Sequence, residues 1–264
     1  MAVAQALGLA LLVTAMKINA LFSDFDGTLS PLNVPRAMAA VPAALAEVVT
    51  RIGQLVPVGI ISTKDLGFVV PRTLFAKAWC GVGGLEIKTD DGATRAAIVP
   101  NLKNINYAME YSEATLGPGH YCEKKLDSKG GVLAFCIDWR ETTKPREQVK
   151  RKIAAIVEYS RALQLDVIQP PGQPFVDVYP SPVDKGKALS ELKNHFGLTD
   201  GVLYLGDSAT DNPAFRKANI AVGIIHGESS DHLDCDFTIP FDKLSDFLER
   251  LLRNGLVFNR NCLP

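Results

Sequence analysis

Two aspartates one residue apart, Asp24 and Asp26, follow a short apolar run and precede Gly27-Thr28. On an extended backbone alternate residues point the same way, so both carboxylates can face one site. Two crowded carboxylates repel unless positive charge sits between them, and a hard cation with oxygen ligands is the usual remedy. Ser62 follows a second apolar run, Val56 to Ile61. A hydroxyl and backbone amides at a strand-to-helix junction can bind phosphate oxygens. Asp184-Lys185-Gly186-Lys187 opens a helical pattern with lysines at the end the macrodipole disfavours, a conflict that an anionic partner would relieve. Leu205-Gly206-Asp207 closes a third run, and Asp211 lies four residues on, within reach across one helical turn. Each feature alone has a plainer explanation, as an Asp-Gly turn, an N-cap or a solvated lysine. Together they put two acidic pairs, a hydroxyl and a lysine at strand ends or helix starts of one core.

The elements that must position them follow from periodicity. Ile18 to Phe22 is an apolar strand, Ala37 to Gly53 an amphipathic helix and Val56 to Ile61 a buried strand. Leu66 to Phe75 reads as a helix despite Pro71, and Ala78 to Val82 as another strand. This alternation predicts an α/β fold with a doubly wound, Rossmann-like parallel sheet, whose ligands bind beyond the carboxyl ends of the strands. The pattern then changes. Leu85 to Lys88 and Thr94 to Val99 form a hairpin pattern, and Leu102 to Leu116 a helix broken by Pro118-Gly119. His120 to Leu126 and Val132 to Ile137 read as paired strands. A helix over Arg146 to Leu163 and strands near Leu165 to Ile168 and Phe175 to Tyr179 follow. Helices with antiparallel hairpins indicate an inserted α+β domain. The parallel pattern resumes with helices at Lys185 to Phe196, Asp211 to Lys217 and Asp242 to Leu252. Strands at Val202 to Leu205, Ile220 to Gly223 and Phe237 to Ile239 complete it. The expected division is a core of residues 1–83 and 181–264 around an insert of residues 84–180.

Composition narrows the class. A chain of 264 residues with 47% hydrophobic content can bury a sizeable core. A net charge of -1 supplies no global field for nucleic acid or an anionic membrane, so phosphate chemistry must rest on local charge. Five cysteines without a CxxC pair argue against zinc and redox motifs and for free thiols in a reducing, cytoplasmic setting. Cys122 and Cys136 fall on neighbouring predicted strands, which leaves a disulfide between them open. Ala2 to Met16 is apolar but too short for a membrane span, and Lys17 comes after the run, unlike a signal peptide. Two readings stand for it: an upstream extension with the natural start at Met16, or an extra helix packed on the core.

Asp24-Phe25-Asp26-Gly27-Thr28, Ser62, Lys185 and Gly206-Asp207-Ser208-Ala209-Thr210-Asp211 resemble, in order, the four motifs of the haloacid-dehalogenase-type (HAD) phosphatases. The insert between the second and third motifs is similar to the large α/β cap of one subgroup. Gly84-Leu85-Glu86-Ile87, Lys129-Gly130 with Trp139-Arg140, Val183 to Leu189 and Thr210 to Phe215 resemble segments of the trehalose-6-phosphate phosphatases. There are departures. The family's His before the Gly is Gly83, its Gly-Arg after the second-motif hydroxyl is Thr63-Lys64, and Asp138 ends a longer strand before Trp139-Arg140.

The resemblance implies a Mg²⁺-dependent phosphatase acting on a small-molecule sugar phosphate, without nucleic acid or membrane partners, as a monomer or small homo-oligomer. Asp24 would be the nucleophile and Asp26 the acid-base. Ser62 and Lys185 would hold phosphoryl oxygens. Asp24, the Asp26 carbonyl, Asp207 and Asp211 would serve the metal. Glu86, Glu123, Lys129 and Arg140 are the candidate sugar contacts in the cap. Trehalose 6-phosphate is the simplest substrate. The departures keep sucrose phosphate, mannosyl- or glucosyl-phosphoglycerate and broad sugar-phosphate hydrolysis open. A phosphomutase and a non-catalytic sugar-phosphate binder are the readings from other classes, and the second has no need of a nucleophile and an acid together.

Overall fold

A computed structural model describes residues 15–32, 34–96, 101–117, 121–140, 142, 146–170, 172–227 and 232–264. The expectations for the N-terminal run up to residue 14, the end of the Thr94 to Val99 strand and the break at 118–120 lie outside the described residues. In chain order the first strands are β1 (Met16–Lys17), β2 (Ala20–Ser23), β3 (Val58–Ile61), β4 (Ala78–Gly81), β5 (Glu86–Thr89) and β6 (Thr94–Ala96). Then come β7 (Tyr121–Leu126), β8 (Val132–Asp138), β9 (Asp166–Ile168) and β10 (Phe175–Tyr179). The last are β11 (Val202–Gly206), β12 (Ile220–Ile225), β13 (Phe237–Pro240) and β14 (Val257–Phe258). The helices are α1 (Ala43–Gly53), α2 (Leu66–Val69), α3 (Leu102–Leu116), α4 (Arg146–Ala162), α5 (Lys185–His195), α6 (Asn212–Phe215) and α7 (Leu244–Arg253).

The chain folds into two compact units. One is built from the chain up to Ser62, Val70–Trp79 and Asp184–Pro264, the other from Thr63–Val69 and Cys80–Val183. β4 straddles the division. In the first unit the strand order is β13-β12-β11-β2-β3-β4, and the pairs from β13 to β3 are parallel. β2, β3 and β11 are buried at every residue, as expected of strands covered on both faces. α1 buries Leu45, Val48, Val49 and Ile52, and α7 buries Leu244, Phe247, Leu248 and Leu251. Each such side chain contributes about 1.5–3 kcal/mol by leaving water. β1 and β14 pair antiparallel, a feature that two-residue strands are too short to announce by periodicity.

The second unit holds an antiparallel sheet of order β7-β8-β10-β9. Its apolar face, with Phe135, Ile137, Val176 and Val178, packs on Ile105, Ala108 and Met109 of α3 and on Val149, Ile153 and Ile156 of α4. Strand alternation sends Glu123 and Lys125 of β7, Cys136 of β8 and Asp177 of β10 to the opposite face, where Glu123, Cys136 and Asp177 share one register across three strands. Cys122 pairs with Ile137 and packs on the helical side, so it and Cys136 lie on opposite faces. All five cysteines are free thiols, which closes the question of a bridge between them.

Proline accounts for most boundary differences. α1 begins at Ala43 behind Pro42, not at Ala37, because a 3-10 turn over Arg36–Met38 comes first. α2 stops at Val69 and gives way to a 3-10 turn at Val70–Arg72, since Pro71 supplies no amide hydrogen. The helix expected over Asp211 to Lys217 is a 3-10 turn, Ala209–Asp211, followed by the four residues of α6.

Candidate active site

β2 delivers Asp24. Its amide donates to the Leu205 carbonyl at 2.9 Å, which sets the first acidic stretch beside β11 and the stretch that carries Asp207. The chain then turns tightly: the Gly27 amide donates to the Ser30 carbonyl at 2.8 Å, and Asp26 bridges to Ser30. Gly27 has φ +75°, and a Cβ there would stand 2.1 Å from Asp207 Oδ2. Only glycine admits both the left-handed backbone and that approach. Thr28 is fully buried and its hydroxyl donates to Asp207 Oδ1 at 3.1 Å.

Lys185 is the first residue of α5. The macrodipole conflict is met locally, because the Asp184 side chain caps the helix by accepting from the amides of Gly186 at 2.8 Å and Lys187 at 3.1 Å. The Lys185 side chain is buried, with its ammonium 3.1 Å from Asp24 Oδ1 and 2.8 Å from Asp211 Oδ1. Asp211 is fully buried and saturated by protein donors. Its Oδ1 also accepts from the Tyr204 hydroxyl at 2.7 Å. Its Oδ2 accepts from the Asp207 amide at 3.3 Å and from the Ser208 amide and hydroxyl at 3.2 Å. Ser62 follows β3 and is 1% exposed. Tyr204 was not legible as a site residue, since a tyrosine in a buried strand looks like core.

The electrostatics are those of too much negative charge for one lysine. Burial pushes the Asp24 carboxyl up to about 7; Lys185 opposes this, and the charges of Asp211 and Asp26 add to it. Asp207 is raised well above the carboxylate range by burial, with Asp24 and Asp211 adding to it. Burial works against the Lys185 ammonium, yet Asp211 and Asp24 hold its pKa above the ordinary lysine value. Asp24, Asp207 and Asp211 each offer an oxygen within 4.8 Å of the others. All-oxygen donors, excess negative charge and carboxyls raised in the metal-free protein together fit a hard divalent cation.

No family model matches the chain. It is 31% identical over 270 residues to a trehalose-phosphate phosphatase of Mycobacterium bovis (strain BCG / Pasteur 1173P2), covering 94% of this chain and 65% of that protein. The chain thus spans somewhat less than two thirds of the length of that curated relative. The solved C-terminal domain of a C. albicans trehalose-6-phosphate phosphatase superposes with a TM-score of 0.71 at 17% identity, over 91% of this chain and 93% of that one. A haloacid dehalogenase-like hydrolase from Bacteroides thetaiotaomicron superposes with a TM-score of 0.67 at 15% identity, over 89% and 100%. The fold is that of the haloacid-dehalogenase-like hydrolases. Within the HAD core, Asp24, Asp207, Asp211 and Lys185 come together at the ends of β2 and β11 and the start of α5.

The second unit carries the other candidates. Glu86 is 1% exposed; its Oε1 accepts from the Ser128 amide at 3.0 Å and hydroxyl at 2.6 Å, while Oε2 is buried with no hydrogen-bond partner. Glu123 is buried and ion-paired with Lys64 at 3.1 Å. Lys129 lies exposed in the turn after β7. Arg140 is exposed, with its guanidinium on Asp138 Oδ2 at 2.8 Å through Nε and 2.5 Å through Nη2. Sequence reasoning missed the buried Lys125, whose ammonium lies 2.5 Å from Asp177 Oδ1 and 3.0 Å from the Tyr179 hydroxyl. A lysine inside a strand with its partners on β10 gives no local signal. Gly83, one of the departures from the resembled family pattern, has φ +66°, and a Cβ there would stand 2.7 Å from Val183 Cβ. A side chain is excluded at that departure.

Proposed function

We propose that the chain is a phosphatase of small sugar phosphates, with trehalose 6-phosphate the first substrate to test, working through an aspartyl-phosphate on Asp24. The observation that supports it most is the buried Lys185 ammonium shared by Asp24 and Asp211 beside Asp207. A purely structural ion pair needs neither a third, partly buried carboxylate nor a carboxyl held near neutrality. A divalent cation, expected to be Mg²⁺, would be held by Asp24, the Asp26 carbonyl and Asp207, with Asp211 adding charge, and supplies Lewis-acid stabilisation of phosphoryl oxygens.

The steps follow from the residues. The ester phosphoryl group lies against Ser62 and Lys185, which offset charge on its oxygens. Asp24 attacks phosphorus as the bond to the sugar oxygen breaks, and Asp26 gives that oxygen its proton. Asp26, now ionised, takes a proton from water as that water attacks phosphorus. The bond to Asp24 breaks and inorganic phosphate leaves. Asp211 holds Lys185 and the Asp207-Ser208 turn in place.

The second unit is proposed as the specificity cap, with Glu86, Glu123, Lys129 and Arg140 as candidate contacts to sugar hydroxyls. Glu86 has the best case, because its buried Oε2 is left to accept from a ligand. The expected setting is cytoplasmic, with the protein a monomer or small homo-oligomer. Phosphate release from a panel with and without Mg²⁺ tests the reading. The panel holds trehalose 6-phosphate, sucrose phosphate, mannosyl- and glucosyl-phosphoglycerate and p-nitrophenyl phosphate. Hydrolysis of none of them would sink it, and phosphate retained on sugar would make the protein a mutase.

A further inference from the structure

His226 directly follows β12 and is partly buried. Its Nε2 lies 2.6 Å from the Gly27 carbonyl oxygen. A carbonyl only accepts, so Nε2 carries the hydrogen. The ring is held from the side by Phe241, stacked at 4.9 Å between centroids and 27° between planes. Gly27 is the residue whose Cα abuts the Asp207 carboxylate, and its amide is tied to Ser30. The carbonyl that His226 holds belongs to the peptide leading into Thr28, and the Thr28 hydroxyl donates to Asp207 Oδ1. A continuous route therefore runs from Phe241 and His226, through the Gly27-Thr28 peptide, to Asp207.

We propose that His226 is a positioning residue. By donating Nε2–H to the Gly27 carbonyl it locks the Asp26-Gly27-Thr28 turn, and through Thr28 it fixes Asp207 where a divalent cation is bound. None of the four recognised motifs contains it, and it reaches the turn from 199 residues away in sequence. The inference rests on the phosphatase reading for its kinetic consequence but not for its binding consequence.

The full chain is compared with His226→Phe, which keeps a ring to stack on Phe241 but removes the donor. His226→Met is a second donor-less variant should the first fail to fold. His226→Gln restores an N–H on a side chain of similar reach. Mg²⁺ alone is titrated calorimetrically, and p-nitrophenyl phosphate turnover is followed at saturating Mg²⁺. The expected result is roughly tenfold weaker Mg²⁺ binding and a similar fall in kcat for the Phe and Met variants. KM should stay within about twofold, and the Gln variant should recover most of both losses. Unchanged Mg²⁺ affinity in the donor-less variants would overturn the proposal. So would a Gln variant as impaired as Phe, or a parent chain that binds no Mg²⁺. If the parent binds Mg²⁺ but hydrolyses no ester, the phosphatase reading fails, while the calorimetry still decides the role of His226.

Discussion

Lys185 Nζ stands 3.1 Å from Asp24 Oδ1, and both side chains are almost wholly buried. The same ammonium is 2.8 Å from Asp211 Oδ1, so one positive charge serves two carboxylates while Asp207 adds to the negative side. That imbalance sets the chemistry. Asp24 is poised near neutrality instead of being an ordinary ionised aspartate, and additional positive charge at the site favours the form that can attack.

The metal-free protein should therefore lose stability as pH rises from about 4 to about 7 through this group. Asp24 moves from 3.8 in the unfolded chain to about 7 in the folded one. Between those values the folded state binds the extra proton, so the slope of unfolding free energy against pH is negative there. Chelator-treated wild type should show falling Tm across that window, and Asp24→Asn should flatten this contribution. Excess Mg²⁺ should raise Tm most at the alkaline end, where the carboxylates are ionised. A wild-type profile parallel to that of Asp24→Asn would contradict the assignment. Asp24→Asn should also remove essentially all turnover.

Lys185→Met should be worse than the loss of one phosphate contact. It leaves Asp24 and Asp211 buried without their counter-charge, which costs about 3–5 kcal/mol when one partner of a buried pair is removed. It also removes the main group holding the Asp24 carboxyl down, so that carboxyl should titrate still higher. Loss of transition-state charge stabilisation adds a fall of roughly 10²–10³ in kcat. Urea unfolding and steady-state kinetics on the same variant would separate the two effects. Arg at this position should not rescue, because a planar fork does not replace a compact ammonium between two carboxylates.

Gly27→Ala should abolish metal binding more completely than its small size implies. The new methyl would fall 2.1 Å from Asp207 Oδ2 at a backbone φ of +75°, so either Asp207 moves or the turn does. Calorimetry with Mg²⁺ should show no detectable binding, while far-ultraviolet circular dichroism stays close to wild type because the clash is local. Wild-type affinity in this variant would show that Asp207 is not held as described.

The core site was legible because its parts announce themselves locally. Asp24, Ser62 and Asp207 each end a continuous apolar run, and Lys185 opens a helix where a lysine is unexpected. Such punctuation survives in one dimension. What stayed hidden depends on pairing between distant strands. Tyr204 and Lys125 sit inside strands: Tyr204 meets Asp211 only because the 3-10 turn after β11 folds back over the strand, and Lys125 meets Asp177 only through the order of strands in the sheet. His226 is invisible for the same reason, since its partner is a backbone carbonyl 199 residues earlier. Lys129 and Arg140, picked out with Glu86 through the resemblance, are exposed, while the better buried Glu86 keeps its open oxygen at a strand start. The helix start was displaced to just behind Pro42 because a proline's missing amide hydrogen outweighs the apolar pattern.

The Lys125–Asp177 pair offers a test confined to the second unit. Burial works against the Lys125 ammonium, yet Asp177 and the Tyr179 hydroxyl keep its pKa raised, so it stays charged at any physiological pH. Lys125→Met strands the Asp177 carboxylate beside Tyr179 and Cys136, on the polar face of the sheet, and should cost about 3–5 kcal/mol. Asp177→Asn keeps a hydrogen-bond acceptor for Lys125 and should cost less, about 1–3 kcal/mol. The double variant Lys125→Met/Asp177→Asn removes both charges and should cost well less than the sum of the two single losses, since neither charge is left alone. Urea unfolding of the four proteins closes the cycle. A coupling near zero would mean that solvent, not the partner, satisfies each charge. A strong coupling would identify the pair as the anchor joining β7 to β10, around which Glu123 and Cys136 are arranged.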